Sequence, residues 1–323
     1  MADFRDRPAI HRLLSGHRVR SSDWHEMRQV GFSGARIYRQ PADGGRGYVL
    51  KVTSAATDWI MRATSDLQCR EAALANTPPV YGDGVGSPVV GSAQDGEVFA
   101  ILMRDVSPYL LPNEGLTHEQ AHAVIRGLTR LHASTPPEGR DIGWCTVRDR
   151  LTLFAPDAQK LNGFRIAGDI LRGWELFFEH APKGVAGPVR SLFDDSDPVE
   201  RALARLPHTL VHGDLKLDNI ALLPDASLSL IDWSMTMAAP AAVDLGWFLA
   251  MNSRALPFSL DAAMTAYGSP PAMSDSLREL HWAMTVLCGL LIRGWRKALD
   301  ASSGDPAEFR WWCERGSAAL QML

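Results

Sequence analysis

Eight consecutive residues in the second half of the chain, His212-Gly213-Asp214-Leu215-Lys216-Leu217-Asp218-Asn219, concentrate groups able to handle protons and charge. They follow a short apolar run, Thr209-Leu210-Val211, that reads as a strand, and precede another, Ile220 to Leu223. Pro224-Asp225 then turns the chain back toward Leu228 to Ile231. If those two runs pair as a hairpin, Asn219 and Asp232 stand opposite one another at its open end, with Cβ atoms about 5 Å apart. Two oxygen-bearing side chains facing one point suit a hard cation such as magnesium, which takes few protein oxygens and completes its shell with water and phosphate. Asp214 is placed to take a proton from an attacking hydroxyl, and Lys216 to neutralise charge on a moving phosphoryl group. His212 belongs to the same catalytic loop and is expected to orient it. Asn and Asp also favour turns, so any one of these residues alone would signify no more than that. Three of them at this spacing favour a site.

These groups need elements to position them. Residues from Met27 to Val52 suggest three short strands, broken at Gly31-Phe32-Ser33-Gly34 and at Asp43-Gly44-Gly45. From Thr57 to Asn76 the pattern becomes helical, with Ile60, Ala63, Leu67 and Leu74 along one face. Glu71 falls on that apolar stripe. A buried carboxylate is costly unless a cation or donors meet it, and Lys51, in the strand Tyr48-Val49-Leu50-Lys51-Val52, is the candidate partner. Such a pair could equally be a structural ion pair. A segment rich in Gly and Pro, Thr77 to Gly96, leads to the strand Val98 to Met103, and Pro108 and Pro112 then punctuate the chain. The domain boundary is placed there. A capping box at Thr117 and Gln120 opens the next helix, with Leu131-His132 near its end. Residues 142–206 read as a helical insertion interrupted between Pro182 and Pro188, with an acidic cluster at Asp194, Asp195 and Asp197 that fits a solvated loop. Ser274 and Asp305-Pro306 open two further helices.

The sequence His212-Gly213-Asp214-Leu215-Lys216-x-x-Asn219, followed after a hairpin by Ile231-Asp232-Trp233, resembles the signature of the aminoglycoside phosphotransferase and choline kinase superfamily of small-molecule kinases. The likeness extends to Lys51, Glu71 and Leu131-His132, and so covers the chain from about Gly31 to Trp247. It implies a two-lobed, protein-kinase-like α+β fold. Residues 1–106 would form an antiparallel sheet lobe with one long helix, and residues 107–323 a larger, mostly helical lobe. By the same resemblance, Lys51 holds nucleotide phosphates and is positioned by Glu71, while Gly31, Ser33 and Gly34 cover the nucleotide. Val49, Met103, Asp105 and Ile231 would line its pocket, with backbone groups from Met103 to Val106 as the adenine hinge. Asp214 is implied as base, and Asn219 and Asp232 as metal ligands. The implied cofactors are ATP, with GTP as an alternative, and Mg2+. Asp244 could either cap the helix that follows it or brace the catalytic loop.

The pattern also departs from protein kinases. The turn Gly31-Phe32-Ser33-Gly34-Ala35 has fewer glycines than a Gly-x-Gly-x-x-Gly loop, and the Ser33 hydroxyl could compensate. Asp232 is followed by Trp233-Ser234, and the short stretch before Asp244-Leu245-Gly246 has no Ala-Pro-Glu and no room for an activation segment. A small-molecule hydroxyl acceptor is therefore favoured over a protein Ser/Thr. An aminoglycoside-like antibiotic or a sugar or amino sugar is expected, with macrolides and amino alcohols as alternatives. A pseudokinase would lack one of Asp214, Asn219 or Asp232, and none is missing. Trp295, Trp311 and Trp312 suit the core, or one ring could line the acceptor pocket. With 46% hydrophobic and 22% charged residues the chain is ordinary globular material, and a net charge of −4 gives no reason to expect nucleic acid. Its four cysteines form no CxxC pair, and neither a leader nor a membrane span is evident, so a cytoplasmic protein is expected.

Overall fold

The computed structural model describes residues 4–20, 22–27, 33–41, 47–77, 81–137, 142–268 and 273–323. Gly31 and Phe32 of the expected nucleotide-covering turn lie outside these residues. The architecture is the expected two-lobed α+β arrangement, a sheet lobe followed by a helical one.

In the first lobe α1 (Pro8–Gly16) precedes β1 (His25–Glu26), β2 (Arg36–Gln40) and β3 (Tyr48–Thr53). Then come α2 (Trp59–Ala63), α3 (Arg70–Ala75), β4 (Val85–Gly86), β5 (Val89–Asp95) and β6 (Val98–Arg104). Five strands form an antiparallel sheet in the order β1-β2-β3-β6-β5. Alternation along the strands sorts its two faces. Leu50, Val52, Ala100 and Leu102 pack toward Ile10 and Leu14 of α1. Phe99, Ile101 and Met103 pack toward Met61, Cys69 and Ala72 of α2 and α3. Covered on both faces, β6 reads as an unbroken apolar run. Lys51, between Leu50 and Val52, points to the α3 side.

The single helix expected from Thr57 to Asn76 is instead two short ones. Asp58 caps α2 by accepting from the Met61 amide at 3.1 Å. The N-cap of α3, Cys69, makes no side-chain bond, and Asp66 instead accepts from the Arg70 amide at 3.0 and 3.1 Å. Between them Ser65 and Cys69 adopt left-handed φ values of 51° and 54°, which no continuous helix tolerates. Leu67, assigned to the apolar stripe, is 74% exposed as a result. Strand β5, hidden within the segment read as Gly- and Pro-rich, carries a register shift between Val89 and Gly91 that breaks its alternation.

The second lobe runs through α4 (His118–Leu131), α5 (Val147–Leu151), α6 (Ala167–His180), α7 (Lys183–Asp194) and α8 (Asp197–Leu203). It continues with β7 (His208–Val211), β8 (Ile220–Leu222), β9 (Leu228–Leu230), β10 (Met237–Pro240), α9 (Ala242–Asn252), α10 (Leu260–Tyr267), α11 (Asp275–Ser303) and α12 (Ala307–Leu320). The capping box of α4 is present in full. Pro182 precedes α7, which runs through Pro188 rather than breaking there. Strands β8 and β9 form a hairpin extended by β4 in parallel, and β7 pairs with β10. No helix among the described residues is long and apolar enough to cross a membrane.

Helix α11 is the lobe's central post, packed against α6, α9 and α12. It meets α9 through Gly246, where an added Cβ would lie 2.4 Å from the Thr285 carbonyl oxygen and 2.8 Å from the Gly289 nitrogen. Only hydrogen fits between these backbones. Gly246→Ala is expected to lower the unfolding free energy by about 1–3 kcal/mol, read from the urea midpoint.

On the same post, His281 is fully buried and neither ring nitrogen has a hydrogen-bond partner. Burial, aided by His132, holds its pKa down at about 4. An unfolded histidine titrates near about 6.5, so the stability of the neutral buried form is complete above that pH and lost as pH falls toward the folded value. Thermal denaturation should show a larger fall in Tm from pH 7 to pH 5 for wild type than for His281→Leu.

Candidate active site

The catalytic-loop sequence is held from behind by one buried carboxylate. Asp244, in the first turn of α9, accepts from the His212 amide through Oδ2 and from the Gly213 amide through Oδ1, both at 2.7 Å. The His132 Nε2 lies 3.2 Å from the same Oδ2, and its Nδ1 lies 2.9 Å from the Tyr267 hydroxyl. Burial alone would raise the Asp244 pKa, but His132, His212 and the amide bond hold it below the usual carboxylate range. Asp244 therefore braces the loop. Gly213 adopts φ +82°, and a Cβ there would sit 2.1 Å from the Met235 carbonyl oxygen, so the loop's tight bend requires glycine.

His212 is fully buried and does not line the cleft. Its Nδ1 accepts from the Asp214 amide at 3.2 Å, leaving Nε2–H to donate to the Ile231 carbonyl at 3.0 Å. Burial lowers its pKa, favouring this neutral form. Grouped with the catalytic residues on sequence, it is placed as a positioning residue that fixes Asp214 to the hairpin.

Hairpin register differs from the expected one by a single residue. Ile220 pairs with Leu230 and Leu222 with Leu228, and the Ile231 amide donates to the Asn219 carbonyl at 3.0 Å. Asn219 thus stands across from Ile231 rather than Asp232. The turn spans Leu223 to Ser227, closed by a 2.9 Å bond from the Leu223 amide to the Ser227 carbonyl, so Leu223 falls outside the ladder. Asp232 lies one residue further on at φ +65°, and both Asn219 and Asp232 line the same cavity.

The polar groups there are tightly connected. Asn219 Nδ2 donates to the Asp214 carbonyl at 2.9 Å and to its Oδ2 at 3.1 Å, and Lys216 Nζ lies 3.2 Å from that Oδ2. Lys51 Nζ sits 2.7 Å from Glu71 Oε2 and 2.7 Å from Asp232 Oδ1. Burial works against the Lys51 charge, yet Asp232 and Glu71 raise its pKa well above the lysine value. Asp232 is desolvated as well, and Lys51 and Lys216 hold it well below the carboxylate range. Both groups are charged at neutral pH.

The cleft has a volume of about 470 Å³. Ser33, Gly34, Val49, Lys51 and Met103 line it from the sheet lobe and Ile231 from the helical lobe. Glu71 and Asp105 do not. Glu71 stands behind Lys51 and accepts from the Trp233 amide at 3.3 Å. Asp105 commits its amide to the Gly47 carbonyl at 2.9 Å and its carboxylate to Ser107 and Arg39. Arg104 and Val106 line the cleft on either side of it.

The opposite half is built largely from the insertion at 142–206, where the resemblance implies the acceptor pocket, but its individual residues were not anticipated from the sequence. Leu153, Phe154, Phe164, Ile166 and Met251 give it an apolar wall, and Arg150, Trp247 and Arg293 are its polar members. Arg150 donates through Nε to the Gly213 carbonyl at 2.6 Å, and its guanidinium lies 4.4 Å over the Trp247 ring. Asp244, Trp247 and Met251 recur at steps of three and four along α9, a signal that extends the brace into the cleft wall. Arg150 and Arg293 carried no comparable signal. Trp295 and Trp312 are core residues, Trp311 bonds Asp261, and none lines the cleft. In the acidic cluster, Asp197 pairs with Arg148 at the surface.

With this geometry in place, comparison with known proteins is informative. A family model described as the phosphotransferase enzyme family matches residues 29–280. The solved choline kinase LicA from Streptococcus pneumoniae has a TM-score of 0.52 at 14% identity, over 97% of this chain and 98% of that one. LicA in complex with AMP gives 0.52 at 14% identity, over 98% and 97%. A ternary complex of aminoglycoside phosphotransferase APH(4)-Ia with ADP and hygromycin B gives 0.47 at 16% identity, over 97% of each chain. No curated protein matches the sequence. At such identities the two LicA structures speak for the fold alone, whereas the family model spans the loop 212–219, its brace and most of both lobes. This chain belongs to the phosphotransferase enzyme family and shares the kinase-like fold of the solved choline kinase LicA.

Proposed function

We propose that the protein transfers the γ-phosphoryl group of ATP to a hydroxyl of a small molecule, with Asp214 as base. The observation that carries this reading is the convergence of Lys51, Asp214, Lys216, Asn219 and Asp232 on one cleft between the lobes. The acceptor oxygen bonds to the γ-phosphorus as the bond to the β–γ bridging oxygen breaks. ADP leaves with that electron pair, and the hydroxyl proton passes to Asp214. Lys216 and Asn219 hold the Asp214 carboxylate in place for this role. Lys51 supplies positive charge to the phosphates, and catalysis is mainly positioning plus charge neutralisation.

Magnesium fits the donor set. Asn219 spends its Nδ2 on Asp214, which leaves Oδ1 to accept, and Asp232 offers a charged carboxylate lining the same cleft. Among the described residues no group of three or more His, Cys, Asp or Glu forms a closed metal cage. Magnesium needs none, because it uses one or two carboxylates and takes its other ligands from phosphate and water. When bound, it would neutralise phosphate charge. An enzyme using ATP and magnesium in this way is expected in the cytoplasm.

Asp214→Ala should lower kcat by about 10²–10⁴-fold in an ADP-release assay while nucleotide affinity by calorimetry stays near wild type. Retention of most turnover would refute the base assignment. Lys51→Ala should raise the KM for ATP and, by leaving Glu71 buried without its cation, cost about 3–5 kcal/mol of stability. A coupled ADP-release screen across aminoglycosides, amino sugars, macrolides, amino alcohols and hydroxy acids identifies the acceptor.

A further inference from the structure

The cleft wall beyond Asp214 has a definite electrostatic sign. Among the described residues, every carboxylate lining the cavity, Asp214, Asp218 and Asp232, belongs to the loop 212–219 or follows the hairpin. The helical wall contributed by α5, residues 153–166, α9 and α11 brings two arginines and no carboxylate. Neither Arg150 nor Arg293 forms a salt bridge among the described residues. Arg150 is 1% exposed, and burial lowers its pKa; the same cause brings Arg293 down to about 10. Both guanidinium groups remain charged at neutral pH.

Three residues of this wall hold orphaned donors: Arg150 Nη1, Trp247 Nε1 and Arg293 Nε are buried and have no hydrogen-bond partner among the described residues. Proteins satisfy the large majority of buried polar groups, and each one left bare carries a desolvation penalty. The three are also neighbours, with the Arg150 and Arg293 guanidinium carbons 4.4 and 5.7 Å from the Trp247 ring centre. All are donors, and two sit on cations. What completes such a set is an oxyanion, the group a guanidinium recognises best. A polycationic acceptor would meet like charge here, at a cost rather than a gain.

We propose that the acceptor carries an oxyanion on an apolar body: Arg150, Arg293 and Trp247 bind the anion, and Phe154, Phe164 and Met251 enclose the rest. This rests on the phosphotransferase reading for the fate of the hydroxyl, but anion recognition is separable from it. Arg150 also ties by Nε to Gly213, next to the base, so the anion and the reacting hydroxyl are only a few bonds apart. A short hydroxy acid, or its phosphate or sulfonate counterpart, has that form.

The test uses the full chain and two readouts. Phenylacetate, phenylmethanesulfonate and benzyl phosphate are compared with benzyl alcohol and benzylamine for their effect on Tm. The anions should raise Tm and the neutral and cationic probes should not, and the ranking of the three anions identifies the preferred headgroup. Arg293→Met should weaken anion binding at least tenfold, and Arg150→Lys should weaken it while keeping a cation near Gly213. In parallel, ADP release is measured with 3-phenyllactate, its methyl ester and its amino-alcohol counterpart, and activity should follow the free acid. Equal responses to acid, ester and amine, preference for the amine, or no response of Tm to any anion would overturn the proposal. Anion-dependent Tm shifts that Arg293→Met abolishes, without ADP release from any acceptor, would uphold the anion site and count against phosphoryl transfer instead.

Discussion

A single ammonium group shared between two carboxylates ties the two lobes together. Lys51 leaves the sheet, Glu71 stands on α3, and Asp232 follows the hairpin of the other lobe, each contact at 2.7 Å. A lysine almost wholly removed from water is tolerable only because two opposite charges meet it, and removing either partner leaves buried charge uncompensated. Much of the lobe follows from that requirement. Strand β3 must present Lys51 on the α3 face, α3 must start where Glu71 turns inward, and Asp232 must depart from the hairpin at a left-handed φ to arrive beside them.

The second lobe solves a matching problem with opposite charge. Asp244 is fully buried, and two loop amides with one imidazole accommodate it. His212 then fastens the Asp214 amide to the Ile231 carbonyl. Loop, hairpin and α9 become one rigid piece. Asp214, Asn219 and Asp232 are therefore set relative to one another by the protein's own bonds, and such fixed polar groups are the condition for electrostatic preorganisation.

Much of this could be read from the sequence, for identifiable reasons. The loop 212–219 is contiguous, so its chemistry survives without knowledge of tertiary packing. Glu71 announced itself as a carboxylate on an apolar stripe, even though the stripe belonged to two helices and Leu67 did not share it. The hairpin register was off by one because Leu223 and Ile231 look like strand residues, while the five-residue turn claims the first and leaves the second to face Asn219. Asp105 was expected to contribute backbone groups to a hinge, and what the sequence did not reveal is that its carboxylate is taken up in a local turn with Ser107. Arg150 and Arg293 were invisible because only the packing of α5 and α11 around Trp247 makes them neighbours. Isolated arginines in amphipathic helices are ordinary surface residues until a fold buries them.

The break between α2 and α3 has a mechanical consequence. By restarting the helix at Arg70, it sends that guanidinium across the lobe junction, where Nε donates to the Gly143 carbonyl at 2.8 Å and Nη1 to the Ser234 carbonyl at 3.0 Å. Two charge-assisted bonds would have to rupture together for the halves to part there. The interruption between α2 and α3 thus supplies a second fastening between the lobes, at Arg70, beside the one made by Lys51.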